Sequence, residues 1–242
     1  MEILAIIPAR GGSKGLPGKN IKPLLQHPLL AYSIAAAQAS KLITRITLNT
    51  DSEEIAAVGK QYGANIPFMR PAHLADDEAT DLVVFEHQLN WMKENENYIP
   101  DIVVQLRPTS PIRFSGWIDE AITKLLNSDA DSVRSITESP ITPFKMWLLN
   151  GNNNDAMEPL LKLQHIEEPY NQPRQKLPTV FWQTGTLDII KTAAITEQHS
   201  MSGKKILPYL IEKKYAIDID DVASFYKAEE LIQNSDCIKF DE

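Results

Sequence analysis

Cysteine, clustered histidine and long apolar runs are scarce in this chain of 242 residues. Its single cysteine, Cys237, cannot form a disulfide within the chain, and no neighbouring residues suggest a metal knuckle or a cysteine nucleophile. The five histidines have no spacing that is typical of zinc ligands. We therefore predict no internal disulfide and no zinc site, and we expect Cys237 to be an incidental thiol on a C-terminal helix.

No stretch of the sequence approaches the roughly 20 apolar residues that a membrane-spanning helix requires. The apolar segment at residues 1–8 is too short for the core of a signal peptide and lacks a small-residue cleavage site. The sequence therefore predicts no membrane partner and a reducing, cytoplasmic location.

Basic residues are also in deficit, since 24 Lys and Arg stand against 32 Asp and Glu and give a net charge of −8. General nucleic-acid binding needs a basic surface to meet the phosphates, so no nucleic-acid partner is expected. A small anionic substrate is not excluded, because a few clustered cations can dominate the field around them.

Apolar strands and amphipathic helices alternate over the first two thirds of the chain. Residues 3–7 form a continuous apolar run that ends at Pro8, which is typical of a strand buried on both faces. Similar patterns predict strands at residues 45–48, 66–69, 102–104 and 132–136, and helices at residues 29–39, 53–62, 82–93 and 117–126. The alternation predicts an α/β fold with a Rossmann-like, mostly parallel sheet flanked by helices.

The pattern changes after Pro140, where Asn150-Gly151 and several prolines predict hairpins and irregular extensions. A strand at residues 215–219 and a helix at residues 222–232 then return to regular structure. We predict one domain over residues 1–242 with an inserted arm at about residues 140–180. The arm is expected to act as a substrate lid or a dimer contact, although a surface decoration would have a similar sequence.

A basic, glycine-rich loop follows the first strand. Residues 8–20, PARGGSKGLPGKN, contain four glycines and three cations. Backbone N–H groups and cationic side chains together suit a polyphosphate. The loop also leaves the carboxyl end of a strand, where open α/β sheets bind ligands. Its spacing matches neither a Walker A loop nor a dinucleotide-binding fingerprint, and a flexible surface loop rich in lysine is the alternative.

Two carboxylates two positions apart follow the apolar residues of the segment IDIDD at residues 217–221. On a strand, Asp218 and Asp220 would point to one face and could share a cation. Mg²⁺ is the expected ion, because it binds through one or two carboxylates and fills its other positions with phosphate oxygens and water. The alternative is an acidic strand end that caps the next helix through Asp220 or Asp221.

The loop at residues 7–20, IPARGGSKGLPGKN, resembles the signature loop of the acylneuraminate cytidylyltransferase family. That family includes the synthetases for CMP-sialic, CMP-pseudaminic and CMP-legionaminic acids, and the CMP-Kdo synthetases are its cousins. The resemblance implies that the loop wraps the triphosphate of CTP, with Arg10 and Lys19 facing the phosphates as catalytic cations. The nucleotide-binding positions that it implies in this loop are Ala9, Arg10, Gly11, Gly12, Ser13, Lys19 and Asn20.

Three further segments are similar to elements of the same family. RPAHLADD at residues 70–77 is similar to the element that contacts cytosine, which implies this role for Arg70 and, downstream, for Asp81. RPTSPIR at residues 107–113 resembles Gln-Pro-Thr-Ser-Pro-Leu-Arg, with Arg107 in place of a glutamine that helps to hold the sugar. IDID at residues 217–220 resembles the metal element, which implies Asp218 and Asp220 as Mg²⁺ ligands and Asp220 as catalytic.

The resemblance also implies a set of sugar-binding positions. In the segment QTGTLD at residues 183–188, Thr184 and Asp188 replace an asparagine and a tyrosine of the sialic acid enzymes. These departures favour a related nonulosonic acid over N-acetylneuraminic acid itself. The implied sugar-binding residues are Arg107, Thr109, Ser110, Lys145, Arg174, Gln175, Thr184 and Asp188.

The resemblance implies a homodimeric sugar nucleotidyltransferase that uses Mg²⁺. It would transfer CMP from CTP to the anomeric hydroxyl of an acidic nonulosonic sugar and release pyrophosphate. Three other functions stay open: an enzyme of the same fold that uses Kdo, another sugar or another base; a glycosyltransferase with a metal-binding Asp-x-Asp; and a non-catalytic nucleotide-binding protein. Substrate profiling tests the first, pyrophosphate release tests the second, and metal-independent binding would favour the third.

Overall fold

The computed structural model describes residues 1–150 and 156–240, so Gly151 of the predicted turn lies outside the described residues. The strands are β1 (Ile3–Pro8), β2 (Pro23–Leu24), β3 (His27–Pro28), β4 (Arg45–Asn49), β5 (Ile102–Gln105), β6 (Ser132–Glu138), β7 (Trp147–Asn150), β8 (Ala156–Pro159), β9 (Phe181–Lys191) and β10 (Ile206–Leu210). The α-helices are α1 (Leu29–Gln38), α2 (Glu53–Gln61), α3 (Asp81–Glu96), α4 (Trp117–Leu126), α5 (Thr192–Thr196) and α6 (Val222–Gln233).

Six strands form the main sheet in the order β10-β6-β9-β5-β1-β4. Strand β1 runs parallel to both β4 and β5, and β9 runs antiparallel to β5. In this register Ile6 of β1 lies beside Thr47 on one side and Gln105 on the other. The carboxyl ends of β1, β4 and β5 therefore meet at one edge of the sheet, and the loops that follow them converge there.

Helices cover both faces of the sheet. Alternate residues of β1 point to opposite faces and therefore pack against different helices. Ile3 and Ile7 pack into a cluster with residues of α1 and α4, whereas Leu4 and Ile6 pack against α3. All four side chains are at most 1% exposed. This explains the unbroken apolar sequence of β1, and it confirms the predicted α/β fold with a mostly parallel sheet and flanking helices.

A third apolar cluster supports the loops at the sheet edge. Leu16 of the glycine-rich loop packs there with Ile217, Ile219 and residues of α6. The carboxylate segment at residues 217–221 is thus anchored beside the glycine-rich loop, although the two segments are about 200 positions apart in the sequence.

Two predicted strands do not form. At residues 66–69, Pro67 removes one backbone donor, and only Asn65 bridges to Thr47 of β4. At residues 215–219, the chain leaves a 3-10 turn at Lys213–Tyr215 and donates from Ile219 N to the Thr109 carbonyl. This contact holds the segment against the loop that follows β5, and the segment is not one of the six strands of the main sheet.

Cys237 lies beyond the end of α6 and not on it, which corrects the sequence prediction. Its side chain is buried in the third apolar cluster, and burial is the largest cause that raises the pKa of its thiol. A buried, protonated thiol is unreactive, as expected for an incidental cysteine.

The chain divides into a larger unit, residues 1–135 and 184–242, and a smaller unit, residues 136–183. Within the smaller unit, β7 and β8 form an antiparallel hairpin in which Leu149 lies opposite Met157. Three 3-10 turns, at Pro143–Lys145, Pro169–Asn171 and Arg174–Lys176, fill much of its remainder. In the described part of the chain, no helix is long and apolar enough to cross a membrane.

Candidate active site

A cavity of about 400 Å³ lies in the larger unit, at the edge of the sheet where β1 and β5 end. Of the residues predicted for the site, it brings together members of four separate segments. Those that line it are Arg10, Ser13, Lys19, Asn20, Arg70, Asp81, Arg107, Thr109 and Asp220.

Lys19 joins the glycine-rich loop to the carboxylate segment. It opens a 3-10 turn after Gly18, whose φ of 65° is a left-handed conformation that favours glycine. The Lys19 side chain is only 11% exposed. Its Nζ donates to the Ile219 carbonyl at 2.5 Å and lies 3.1 Å from Asp220 Oδ1. A side chain at Gly15 would overlap the Asp220 carbonyl, so glycine permits this close approach.

Arg10 and Lys14 place two more cations on the cavity wall. Arg10 donates to the Asp76 carbonyl at 2.7 Å and to Asp77 Oδ1 at 2.8 Å. Lys14 forms an ion pair with the other carboxylate oxygen of Asp77. Asn20 braces the loop from within, because its Nδ2 donates to the Arg10 carbonyl at 2.9 Å.

Arg70 is held rigidly at another part of the wall. Its Nε donates to Asn49 Oδ1 at 2.5 Å and its Nη2 to the Asn49 carbonyl at 2.7 Å. Burial is the main cause that lowers the pKa of this guanidinium, although nearby carboxylates oppose the shift. Leu74 and Val84 are buried beside it on the same wall and give this part of the cavity an apolar surface.

Asp81, the first residue of α3, forms an ion pair with Arg107 across the cavity wall. Its Oδ2 accepts from Arg107 Nη2 at 2.5 Å and from Gln105 Nε2 at 2.9 Å. Burial favours the protonated form of Asp81, but the charge of Arg107 and these hydrogen bonds outweigh burial and lower its pKa. Arg107 is likewise kept charged, since Asp81, Asp188 and Asp218 outweigh its burial and raise its pKa.

A layer of buried polar groups lies behind Arg107. Arg113 is fully buried and donates to the carbonyls of Arg107 and Thr186, at 3.0 and 2.6 Å. It thereby ties the loop after β5 to β9. Ser110 Oγ and Thr186 Oγ1 are buried without a hydrogen-bond partner among the described residues.

Three predicted sugar-binding residues, Ser110, Thr184 and Asp188, belong to this buried layer and do not line the cavity. Thr184 is buried, and its Oγ1 donates to Ser135 Oγ at 2.8 Å. Asp188 is 2% exposed and lies opposite Gln105 in the sheet. Burial raises the pKa of Asp188 to about 6, although the charges of Arg134 and Arg107 oppose the shift.

The Asp188→Asn variant should differ from the parent protein in how its stability depends on pH. Between pH 4 and 6 the folded chain keeps the Asp188 proton that the unfolded chain releases, so the free energy of unfolding falls as the pH rises. The difference between a pKa of 3.8 and one of about 6 corresponds to about 3 kcal/mol above pH 6. The variant should lack this loss in urea unfolding measured from pH 4 to 7.5.

Asp236→Asn provides the control, because it also replaces an aspartate by asparagine, but at an exposed position. Stability curves that stay parallel for the parent and the Asp188→Asn protein over this pH range would contradict the assignment.

The carboxylate segment meets the chemical requirements of a Mg²⁺ site. Ile217 and Ile219 are buried whereas Asp218 and Asp220 are exposed, so the predicted alternation holds without a strand. Asp220 lines the cavity, and Asp218 lies close enough to Arg107 to affect its pKa. Among the described residues no group of three or more His, Cys, Asp or Glu could hold a metal. Two exposed carboxylates still fit Mg²⁺, because phosphate oxygens and water complete its shell.

The other predicted residues lie elsewhere. Ala9 is buried and donates its backbone N–H to the Asn49 carbonyl at 3.0 Å. Gly11 and Gly12 are exposed, and Gly11 N donates to Asp51 Oδ1 at 2.9 Å. Lys145, Arg174 and Gln175 are exposed residues of the smaller unit. Within that unit, Arg174 donates to the carbonyls of Ser139 and Pro140, at 2.9 and 3.2 Å.

Sequence reasoning assigned no role to several residues of the cavity wall. Asp76 and Asp77 belong to the segment at residues 70–77, which was predicted to contact cytosine through Arg70. Their contacts with Arg10 depend on the tertiary fold. Leu74, Ala79 and Val84 carry no chemical signal of their own, and only their position shortly after Arg70 could have indicated them. Pro8, Lys14 and Gly15 belong to the loop that was predicted to suit a polyphosphate but had no individual role, and Pro108 completes the wall.

Comparison with known proteins identifies the family. The model of a cytidylyltransferase family matches residues 4–200. CMP-N,N'-diacetyllegionaminic acid synthase of Legionella pneumophila is 34% identical over 236 residues, which cover 96% of this chain and 97% of that protein. N-acylneuraminate cytidylyltransferase of Escherichia coli is 30% identical over 244 residues, or 99% of this chain, but the chain spans only 54% of that longer relative.

A solved structure of CMP-2-keto-3-deoxy-manno-octonic acid synthetase complexed with CTP is similar in fold, with a TM-score of 0.69 at 12% identity. The alignment covers 96% of this chain and 99% of the other. The matches confirm the predicted resemblance and the predicted class of enzyme, a sugar nucleotidyltransferase. By the family model and its relatives, the chain belongs to the cytidylyltransferase family.

Proposed function

We propose that this protein transfers CMP from CTP to the anomeric hydroxyl of an acidic nonulosonic sugar and releases pyrophosphate. The observation that carries the proposal is the contact of Lys19 with Asp220 and Ile219, which brings a basic, glycine-rich loop against the carboxylate segment at the cavity wall. Nucleotidyl transfer needs such an arrangement, because it depends on positioning and charge neutralisation more than on covalent help from the protein.

The phosphates lie against the glycine-rich loop. Arg10, Lys14 and Lys19 supply positive charge there, and the backbone N–H groups of the loop supply further donors. As the sugar oxygen attacks the α-phosphorus, negative charge develops on the leaving pyrophosphate. Arg10 and Lys19 stabilise that charge, and the hydrogen bonds of Lys19 keep its ammonium group in place.

Asp218 and Asp220 are the residues that would hold a Mg²⁺ ion. When bound, the ion neutralises phosphate charge and lowers the pKa of the attacking hydroxyl. Lys19 keeps the Asp220 carboxylate oriented toward the cavity through the contact at 3.1 Å. Removal of free Mg²⁺ with a chelator should stop pyrophosphate release, and activity that survives it would exclude this assignment.

The sugar is proposed to lie near Arg107 and Thr109, which are the predicted sugar residues on the cavity wall. Arg107 is already paired with Asp81 and influenced by two more carboxylates, so its charge is largely neutralised before a sugar arrives. Lys145, Arg174 and Gln175 of the smaller unit stay proposed as sugar-binding positions, and Ser110, Thr184 and Asp188 as sugar-binding or supporting positions.

The cytosine is proposed to lie on the apolar surface of Leu74 and Val84, between Arg70 and Asp81. An ionised carboxylate accepts a hydrogen bond from the 4-amino group of cytosine and repels the 4-oxygen of uracil. The lowered pKa of Asp81 keeps it in that ionised form.

The Asp81→Asn variant should therefore discriminate less between CTP and UTP. An amide can turn its NH₂ group toward the uracil oxygen, so the ratio of kcat/KM for the two nucleotides should fall by about tenfold. Asp76→Asn is the control. Asp76 also lies on the cavity wall, but its carboxylate accepts a hydrogen bond from the backbone of the turn that follows it. An unchanged ratio in Asp81→Asn would remove Asp81 from base recognition.

The test of the function is pyrophosphate release with Mg²⁺, with each nucleoside triphosphate assayed against nonulosonic acids, Kdo and sugar phosphates. Release with CTP and a nonulosonic acid is the expected result. Release only with Kdo or a sugar phosphate would favour the alternative substrates. No release from folded protein that still binds CTP would favour a nucleotide-binding protein without catalysis.

A homodimer joined through the smaller unit is proposed as the working form, and the cytoplasm, where CTP is available, as its location. Leu149 and Met157 face each other across the hairpin and are 62% and 58% exposed. Such an exposed apolar pair is typical of an association surface. Cell fractionation with detection of the protein tests the location.

The Leu149→Asp variant should be a monomer in light scattering, whereas the parent protein should have the mass of a dimer. Leu126→Asp is the matched control, because Leu126 is 43% exposed at the end of α4 in the larger unit. A monomeric parent protein, or a dimer that survives Leu149→Asp, would contradict this interface.

A further inference from the structure

Asp77 forms ion pairs with two of the cations that the proposed function assigns to the phosphates. One oxygen of its carboxylate lies 2.8 Å from Arg10 Nη2, and the other is paired with Lys14. All three residues line the cavity. A carboxylate that bridges an arginine and a lysine on the wall of an anion site occupies the same cationic donors that a phosphate group would use.

The backbone around Asp77 is held in place for this contact. Asp76 Oδ1 accepts from the backbone N–H groups of Glu78 and Ala79, at 3.0 and 2.7 Å, and closes a tight turn. Arg10 Nη1 also donates to the Asp76 carbonyl at 2.7 Å. The segment thus presents the Asp77 carboxylate to the glycine-rich loop, while the side chain itself is still 45% exposed and free to leave.

We propose that Asp77 competes with the polyphosphate of the nucleotide for Arg10 and Lys14, and that it thereby sets how tightly the site holds CTP and pyrophosphate. The inference rests on the proposed function, which places the phosphates at these cations. Asp77 keeps the two cations neutralised in the empty site, and it must leave them when a polyphosphate binds.

The competition lowers the affinity for the substrate and for the leaving product alike. Both ion pairs must break when CTP enters, so part of the favourable phosphate contact is offset by their loss. The same pairs form again as pyrophosphate departs, which favours release of the product. A monophosphate that does not reach Arg10 and Lys14 is unaffected by Asp77. The residue therefore weakens polyphosphate binding selectively.

Isothermal titration calorimetry of the full chain with CTP, pyrophosphate and CMP, in the presence of Mg²⁺, tests the proposal. Asp77→Asn keeps the size of the side chain and removes its charge. Exposed ion pairs are weak, so the variant should bind CTP and pyrophosphate about threefold to tenfold more tightly and CMP with unchanged affinity. The gain should shrink as the salt concentration rises, because salt screens the exposed pairs.

Asp129→Asn is the matched control. Asp129 forms an exposed ion pair with Lys205 and is not part of the cavity wall, so its variant changes the net charge equally without freeing a phosphate-binding cation. Melting curves of both variants verify that they are folded. An equal gain in Asp129→Asn would assign the effect to overall charge and overturn the proposal.

Unchanged or weaker polyphosphate binding in folded Asp77→Asn would also overturn it, and weaker binding would show that Asp77 helps to hold the ligand. Failure of the proposed function has a different result: the parent protein itself would bind neither CTP nor pyrophosphate, or it would bind CTP without releasing pyrophosphate. A parent protein that binds CTP and releases pyrophosphate therefore leaves only the role of Asp77 in question.

Discussion

The Asp220→Asn protein should lose more than about a hundredfold of its pyrophosphate-release rate while its melting temperature stays unchanged. The Asp220 side chain is 77% exposed, so its replacement removes almost no packing. Its carboxylate is the one of the proposed metal pair that lines the cavity. An amide retains one weak oxygen ligand but no charge, and it cannot keep a divalent cation beside the phosphates at ordinary concentrations.

Asp221→Asn is the matched control, because the Asp221 carboxylate is adjacent in sequence but has a structural role. Asp221 caps α6, where its Oδ1 accepts from Ser224 N at 2.7 Å. Asparagine caps helices about as well as aspartate, so this variant should keep both its rate and its melting temperature. Equal losses of rate in the two variants, or a fully active Asp220→Asn protein, would contradict the proposed metal site.

Where the sequence predicted the fold correctly, the signal was local. The run at residues 3–7 is apolar because both of its faces are covered, and the structure extends it by one residue to Pro8. Helix α4 has the predicted bounds, since Ile118, Ile122 and Leu125 recur at helical spacing on its buried face.

Strand β9 was not predicted as a strand, although it has 11 residues and pairs with β5 near the centre of the sheet. Its sequence, FWQTGTLDIIK, begins with exposed residues and contains a glycine and an aspartate, which a central strand rarely has. Asp188 is buried because β9 lies between β5 and β6 in the sheet. The residues next to Asp188 in the sequence do not indicate these neighbours.

The candidate site shows the same division between local and tertiary signals. The glycine-rich loop and the pair of carboxylates were recognisable because their residue types and spacing are chemical in themselves. The ion pairs of Asp81 with Arg107 and of Asp77 with Arg10 join positions 26 and 67 residues apart. Such pairs depend on how the loops converge at the sheet edge. The sequence therefore indicated the cations of the candidate site, and Asp81 and Asp220 among its carboxylates, but not the ion pairs that join them.

The Lys19→Met protein should show the second large loss, a fall in kcat/KM for CTP of roughly a hundredfold. Methionine preserves most of the apolar length of the side chain and removes its charge. The Ile219 carbonyl then loses its donor and Asp220 loses its partner. The site also loses a cation that is proposed to face the phosphates. Because Lys19 is nearly buried, the melting temperature should also fall, so folding must be verified at the assay temperature.

The distribution of this loss between kcat and KM distinguishes the roles of Lys19. A cation that only attracts CTP would raise KM and leave kcat unchanged, whereas one that stabilises the departing pyrophosphate lowers kcat as well. We expect both changes, since Lys19 contacts the carboxylate segment and lines the cavity where the phosphates are proposed to bind. Lys22→Met is the control, because Lys22 is exposed three positions later and lies outside the cavity wall. A Lys22→Met protein as impaired as Lys19→Met would show that the loop needs only its total charge, and the specific bridge from Lys19 to Asp220 would then have no part in the reaction.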